Sequence, residues 1–387
     1  MIAYDKNLLK NTFLVTEAKA LEKARFITKE QFQNAVKALP ALKSQHNILI
    51  RSGFFILGVF LYSSVSGVLA LFGLVNVDLA IGLVYLFAAI GLVGSELLAR
   101  QKYYGFGLDD AFILGTQFAL GIAVTFSTEG NILVITGTVT IAALMMYLRY
   151  VHLPSMVVFF LALTATLAYA VFDLLAYGKA ILPFAMMLFA VGMYVAGVQL
   201  LKKLTEPFYY NGILLIRNFS LVLFYLSGNY FVVRELSAAM ANTYYDYSPE
   251  IPLSWFFWCF TFIIPVLYIV FALQNKNRML LWIGFLAFCF SIFSFRNYHH
   301  VLPTEFALTL GGLFLFAFTY FSIKKIKNNA TGFTFKPDRF DNSNALLNVE
   351  TLIIASTFDL KPAIKAEESP MEFGDGGFSG GGSGGSF

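Results

Sequence analysis

Runs of about twenty apolar residues, separated by short polar stretches, recur along most of the chain. Because a helix rises 1.5 Å per residue, about twenty residues cross a hydrocarbon core of ~30 Å. Both faces of each run are apolar, which excludes the alternating pattern of a membrane β-barrel. The pattern therefore predicts an all-α, polytopic transmembrane helical bundle of about ten spans, at residues 53–75, 79–98, 108–127, 132–148, 154–175, 181–200, 210–233, 252–273, 279–295 and 302–323.

The composition supports a membrane protein. Hydrophobic residues make up 58% of the chain and charged residues 13%, whereas soluble domains carry roughly 25% charged residues. The formal net charge of +4 is small, and its charges gather at the ends of the spans. We therefore expect the lipid bilayer as the main partner and no binding of nucleic acid.

Basic residues mark every second loop. The first apolar run begins only at Gly53, so we expect no secretory leader and an amino terminus in the cytosol. Lysine and arginine concentrate in cytoplasmic loops, and this bias predicts that both chain ends are cytoplasmic. The residues that carry it are Arg100, Lys102, Arg149, His152, Lys202, Lys203, Lys276, Arg278, Lys324, Lys325 and Lys327.

Polar segments flank the predicted transmembrane domain, which covers residues 53–323. Residues 1–52 predict a cytoplasmic amphipathic helical pair, in which Thr28 and Gln31 form a capping box at the start of the second helix. This basic pair either lies near anionic headgroups or forms a solvated cap, and the sequence leaves both open. Residues 324–366 predict a cytoplasmic polar segment, and residues 367–387 a disordered acidic tail rich in glycine and serine.

Two residue types inside the spans have structural interpretations. Pro265 lies near the middle of the eighth predicted span and should kink it, with the freed carbonyl bonded to a neighbouring helix or a hydroxyl. Cys259 and Cys289 also fall inside spans, where we expect small packing residues rather than a disulfide.

Ionisable residues in spans are candidates for function because their burial in hydrocarbon is costly. Arg217 lies deepest, and with Asn218 it either lines a polar cavity or anchors the helix at the interface. Glu96 and Arg100 are four residues apart, share a helix face and can pair. These four residues form our candidate polar path.

A second candidate site faces outward, in two polar loops expected to converge on one surface. An external ligand or partner is one interpretation, and a wet interfacial loop is the alternative. Adjacent histidines without a spaced partner do not predict a metal site. The candidate residues are Arg234, Tyr245, Asp246, Arg296, His299 and His300.

Enzyme signatures are missing from the sequence. Outside the glycine- and serine-rich tail it has no Gly-x-Ser-x-Gly elbow, and it has no His-Glu-x-x-His, no phosphate loop and no spaced cysteine quartet. Asp109 and Asp110 open the third span, where the helix dipole explains them. We therefore predict no catalytic residue, no cofactor and no metal, and expect that the chain is not an enzyme.

Two segments carry a resemblance to known families. The capped helix start from Arg25 to Phe32, then Ile50 to Gly58 and many apolar spans, resembles a bacterial family of multi-span membrane proteins defined only as a domain of unknown function. Residues 378–387 look like the Gly/Ser-rich tails of bacterial envelope proteins that carry a TPM domain, which this chain lacks. The first resemblance implies a bacterial inner (plasma) membrane, whereas the tail resemblance does not fix the localisation.

Two functions remain open from the sequence. The first is a non-enzymatic membrane scaffold or envelope-assembly factor, with membrane-protein partners or as a homo-oligomer. The second is a transporter or permease for a small uncharged or anionic solute. A polar cavity that reaches Arg217 would favour transport, and a solidly packed bundle would favour the scaffold.

Overall fold

The computed structural model describes residues 2–23, 27–45, 47–73, 77–175, 178–240 and 250–299, together with single positions between 306 and 324. Within these ranges the fold is all-α, and the β contact is one isolated bridge between Lys43 and Tyr103. The helices are α1 (Lys6–Lys23), α2 (Lys29–Ala38), α3 (Ile48–Gly73), α4 (Val77–Arg100), α5 (Leu108–Ser127), α6 (Ile132–Tyr150), α7 (Leu153–Leu174), α8 (Gly178–Lys203), α9 (Tyr210–Gly228), α10 (Tyr230–Met240), α11 (Ser254–Gln274) and α12 (Arg278–Tyr298).

Nine helices of the described chain are long and apolar enough to cross a membrane, so the protein is a multi-pass membrane protein. The predicted third span, 108–127, coincides with α5, and the other predicted ends differ from the helix ends by up to five residues, except in the seventh span. The tenth predicted span, 302–323, lies mostly outside the described residues, as do the predicted segments 324–366 and 367–387.

The seventh predicted span was wrong as one continuous helix. α9 ends at Gly228, and α10 begins at Tyr230. Asn229 between them has extended backbone angles, φ −72° and ψ 126°. Its side-chain oxygen accepts the N–H of Val232 at 3.2 Å, so it caps the second helix. Hydropathy alone does not register this break because the residues on both sides are apolar.

The amino-terminal segment is fixed to one end of the bundle, which we name the proximal face and define by the loops 101–107, 151–152 and 204–206. The N–H of Ala3 donates to the carbonyl of Arg149 at 2.8 Å, and the N–H of Leu42 donates to the hydroxyl of Thr12 at 2.9 Å. Tyr4 and Leu9 are buried there beside residues of α6. The opposite end, which carries the loops 128–131 and 250–253, is the distal face.

The two amino-terminal helices differ in their packing. α1 buries Leu9 and Thr12 against the bundle, whereas no residue of α2 is buried. The predicted capping box is confirmed, because Thr28 accepts the N–H of Gln31 and Gln31 accepts the N–H of Thr28. α1 is thus a packed cap of the proximal face, and α2 is an exposed helix beside it.

The prediction about the carbonyl freed by Pro265 is confirmed. That carbonyl belongs to Thr261, and it accepts the hydroxyl of Ser291 on α12 at 2.7 Å. The packing role expected for Cys259 and Cys289 was wrong, because both are free thiols with exposed side chains. Their small, weakly polar side chains are compatible with a lipid-facing surface.

Candidate functional site

A buried carboxylate joins three helices near the proximal face. Asp110, in the first turn of α5, accepts the Nε of Arg51 from α3 at 2.6 Å and meets the Nε2 of His152 before α7 at 3.0 Å. The side chains of Asp110 and His152 are 7% and 5% exposed, whereas that of Arg51 is 38% exposed. We name Arg51, Asp110, His152, Ser155 and Gln117 the proximal cluster.

A second contact of His152 shows which ring nitrogen carries the proton. His152 is the N-cap of α7, and its Nδ1 accepts the backbone N–H of Ser155 at 3.3 Å. A ring nitrogen that accepts carries no proton, so in the neutral ring Nε2 bears the hydrogen and donates it to Asp110. The cap thus fixes both the tautomer and the direction of this hydrogen bond.

The cluster continues from His152 into the bundle. Nδ1 lies 2.8 Å from the hydroxyl of Ser155, and the amide nitrogen of Gln117 donates to the same hydroxyl. The Oε1 of Gln117 is buried with no hydrogen-bond partner among the described residues. An aspartate, histidine and serine in this order also form hydrolytic triads, but Ser155 is fully buried, so it presents no accessible nucleophile.

Asp109 has a different role from its neighbour. Its carboxylate accepts three backbone N–H groups of the preceding loop, from Gly105 at 2.6 Å, Phe106 at 2.9 Å and Gly107 at 3.0 Å. A side chain at Gly107 is excluded, because its φ is +108° and its Cβ would lie 2.2 Å from the carbonyl of Arg51. The helix dipole therefore explains only part of this pair: Asp109 organises a loop, and Asp110 forms an ion pair.

Glu96 pairs across helices rather than along its own. Its carboxylate accepts the Nε of Arg149 at 2.5 Å and the hydroxyl of Tyr150 at 2.6 Å, which ties α4 to α6. Arg100, the partner expected from the four-residue spacing, is exposed. The interhelical pair is the contact observed because α6 ends at the same face.

The other half of the predicted polar path lies on α9. Arg217 is partly exposed and packs against Gly197 of α8. A Cβ built on that glycine would lie 3.4 Å from the Cβ of Arg217. Asn218 is buried at 7% exposure. Among the described residues no hydrogen bond or ion pair joins these two to Glu96 or Arg100, so the path stays a prediction.

A neutral polar network surrounds the helix break, and we name it the distal network. The amide of Asn229 donates to the hydroxyl of Tyr225 at 2.9 Å, and its oxygen accepts the hydroxyl of Ser294 at 3.2 Å. Tyr225 also contacts the hydroxyl of Ser291 at 2.9 Å. The hydroxyl of Thr261 accepts the N–H of Tyr230 at 2.9 Å, so it supports the start of α10.

Part of the predicted external site comes together beyond this network. The guanidinium of Arg234 lies 4.3 Å from the ring of Tyr298 and donates to the hydroxyl of Tyr230 at 2.9 Å. Tyr230 stacks on Trp258 with centroids 4.3 Å apart, and His299 packs against Trp258 at 5.6 Å. Arg234 and His299 therefore share one aromatic surface.

Four further residues were predicted for that site from the sequence. Arg296 lies in the last turn of α12. Three of the predicted residues lie outside the part of the chain that the structure describes, and these are Tyr245, Asp246 and His300.

The proximal cluster was not predicted from the sequence. Arg51 and His152 were assigned only to basic segments, and neither Ser155 nor Gln117 was selected. One signal was present: Pro154 follows His152 at the second helical position, and a proline in the first turn is typical of a helix start. The contact with Asp110 spans 42 residues and leaves no local pattern.

No group of three histidine, cysteine, aspartate or glutamate side chains in the described ranges could hold a metal ion. Comparison of the chain with family models, with curated proteins and with solved structures found no match. The function proposed below therefore rests on the geometry of the described residues.

Proposed function

We propose that this chain is a non-enzymatic membrane scaffold or envelope-assembly factor. One observation carries the proposal: among the described residues, two groups of buried polar side chains bond within themselves, and no hydrogen bond links one group to the other. The proximal cluster bonds internally around Asp110, and the distal network bonds internally around Asn229. Tyr225, Thr261 and Ser291 are at most 2% exposed, so the packing around the break is solid.

The surface offered to a partner is α2. Hydrogen bonds and buried side chains hold α1 on the bundle, and the bridge between Lys43 and Tyr103 fixes the chain after α2. α2 itself has no buried residue, and Val36 on it is 42% exposed. An exposed helix held at both ends is presented without a large loss of conformational entropy on binding.

We place the proximal face in the cytoplasm of a bacterial cell, with the chain in the inner membrane. The support is the lysine and arginine bias: Lys102, Arg149 and Lys276 lie in or beside loops on that side of the alternating spans. A homo-oligomer and a different membrane protein are both partners compatible with this arrangement.

Site-specific photo-cross-linking in intact cells tests the proposal. A benzophenone side chain at Val36 should form one defined adduct, whereas the same group at Leu253, which is 53% exposed near the distal face, should not form that adduct. Absence of an adduct at Val36, or identical adducts at both positions, would contradict the scaffold.

A second candidate is a transporter for a small uncharged or anionic solute. The break between α9 and α10 favours it, because interrupted helices inside a membrane commonly form substrate sites. Glycerol-driven swelling and chloride efflux from proteoliposomes test both solute classes. Flux above empty liposomes that falls in Arg217→Ala or Glu96→Gln would support transport along the predicted path, and unchanged flux would reject that path.

A further inference from the structure

A groove on the side of the bundle is about as long as the hydrocarbon part of one lipid leaflet is thick. It has a volume of about 460 Å³ and is walled by α3, α4 and α5. Its α4 wall runs from Leu86 to Leu98, which spans about 18 Å at 1.5 Å per residue. Half of a ~30 Å hydrocarbon core is about 15 Å, so the groove reaches from the proximal face to about the middle of the membrane.

The chemistry of the groove matches an acyl chain. Leu61 and Val65 of α3 line one wall, and both are more than 40% exposed. The floor lies where Phe112 packs against Gly94, since a Cβ on that glycine would lie 2.3 Å from the phenyl ring. Ala89 is an exposed small residue on the α4 wall, and it leaves the space open.

Positive charge stands at the proximal mouth of the groove. Leu86, Val93, Leu97 and Arg100 follow one another at spacings of seven, four and three, so Arg100 continues the groove-lining stripe of α4. Arg100 and Lys102 are exposed. The neighbouring carboxylates are already paired, Glu96 with Arg149 and Asp110 with Arg51. The mouth is therefore complementary to an anionic headgroup.

We propose that this groove binds one anionic glycerophospholipid from the leaflet on the proximal side. An acyl chain lies between α3 and α4, and the phosphate and headgroup lie beside Arg100 and Lys102. The site is independent of the scaffold function proposed above, because it does not involve α2.

Native mass spectrometry of the full chain in mild detergent tests the site, with dioleoyl phosphatidylglycerol and dioleoyl phosphatidylcholine titrated separately. The wild type should bind one phosphatidylglycerol about tenfold more tightly than phosphatidylcholine. Ala89→Trp fills the groove and should weaken this binding by about tenfold or more. Ala196→Trp, at an exposed alanine of α8, is the matched control and should bind like the wild type.

A charge variant separates the headgroup from the acyl chain. Arg100→Gln with Lys102→Gln should bring the two affinities within about twofold of each other while leaving phosphatidylcholine binding unchanged. Should Ala89→Trp fail to fold, Val93→Trp at the rim of the groove serves the same purpose.

Three results would overturn the proposal. The first is wild-type binding that does not distinguish the two lipids, which would mean nonselective surrounding lipid only. The second is undiminished phosphatidylglycerol binding in folded Ala89→Trp. The third is a folded Ala89→Trp protein that loses self-association but keeps the phosphatidylglycerol adduct, which would assign the groove to a second copy of the chain.

Discussion

Removal of the Asp110 carboxylate should destabilise the bundle more than removal of any exposed carboxylate. In Asp110→Ala the Nε2–H of His152, 5% exposed, loses its acceptor, and an unsatisfied buried donor costs about 1–3 kcal/mol. Breaking a buried ion pair costs about 3–5 kcal/mol, but Arg51 is 38% exposed and regains water, so that contribution is smaller. We expect a total of about 2–4 kcal/mol, or a decrease in apparent Tm of about 2–5 °C for a chain of 387 residues.

The assay is thermal unfolding in detergent, in which size-exclusion chromatography measures the fraction of folded protein left after heating. Asp173→Ala, at an exposed aspartate at the end of α7, is the matched control and should stay within about 0.5 kcal/mol of the wild type. Arg51→Gln combined with Asp110→Asn should cost less than the sum of the two single changes, because the residues interact directly. Equal stability of Asp110→Ala and Asp173→Ala, or strict additivity in the pair, would refute the assigned contacts.

Three more changes test the partner of the Thr261 carbonyl, the burial of Tyr104 and the orientation of the chain in the membrane. Ser291→Ala should cost about 1–2 kcal/mol in thermal unfolding, but less in a Pro265→Ala background, where the restored N–H satisfies the Thr261 carbonyl; equal costs in both backgrounds would argue against that bond. Burial raises the pKa of Tyr104 above that of an unfolded tyrosine, which is about 10. The apparent Tm should therefore fall as the pH rises past about 10, and Tyr104→Phe should lessen this fall. A pH profile that Tyr104→Phe leaves unaltered would count against the burial of Tyr104. In a chain with Cys259→Ser and Cys289→Ser, an impermeant maleimide should label Asp173→Cys in intact cells and Gln274→Cys only after permeabilisation; the reverse would place the proximal face outside.

The helices could be predicted from the sequence because each span satisfies its own backbone in lipid, which makes hydropathy over about twenty residues sufficient. The capping box at Thr28 and the need of the Thr261 carbonyl for a partner were equally local. The break at Asn229 was missed because a single buried amide, held by Tyr225 one turn earlier and by Ser294 from α12, outweighs the apolar run around it.

The proximal cluster could not be predicted for the same physical reason. Arg51 and Asp110 are 59 residues apart, and only the packing of α3 on α5 brings them together. The predicted pairing of Glu96 with Arg100 was locally sound, but Arg149 approaches from a neighbouring helix and takes the carboxylate. Side-chain partners at helix ends are decided by which ends share a face.

The most direct test of the scaffold is the mass of the particle released by mild detergent. The chain alone has a mass of 43.1 kDa. Light scattering, corrected for detergent, should give a heavier complex for the wild type and a return to 43.1 kDa for Val36→Asp, which places a charge on the exposed face of α2. A wild-type particle of 43.1 kDa in every gentle extraction would contradict the account.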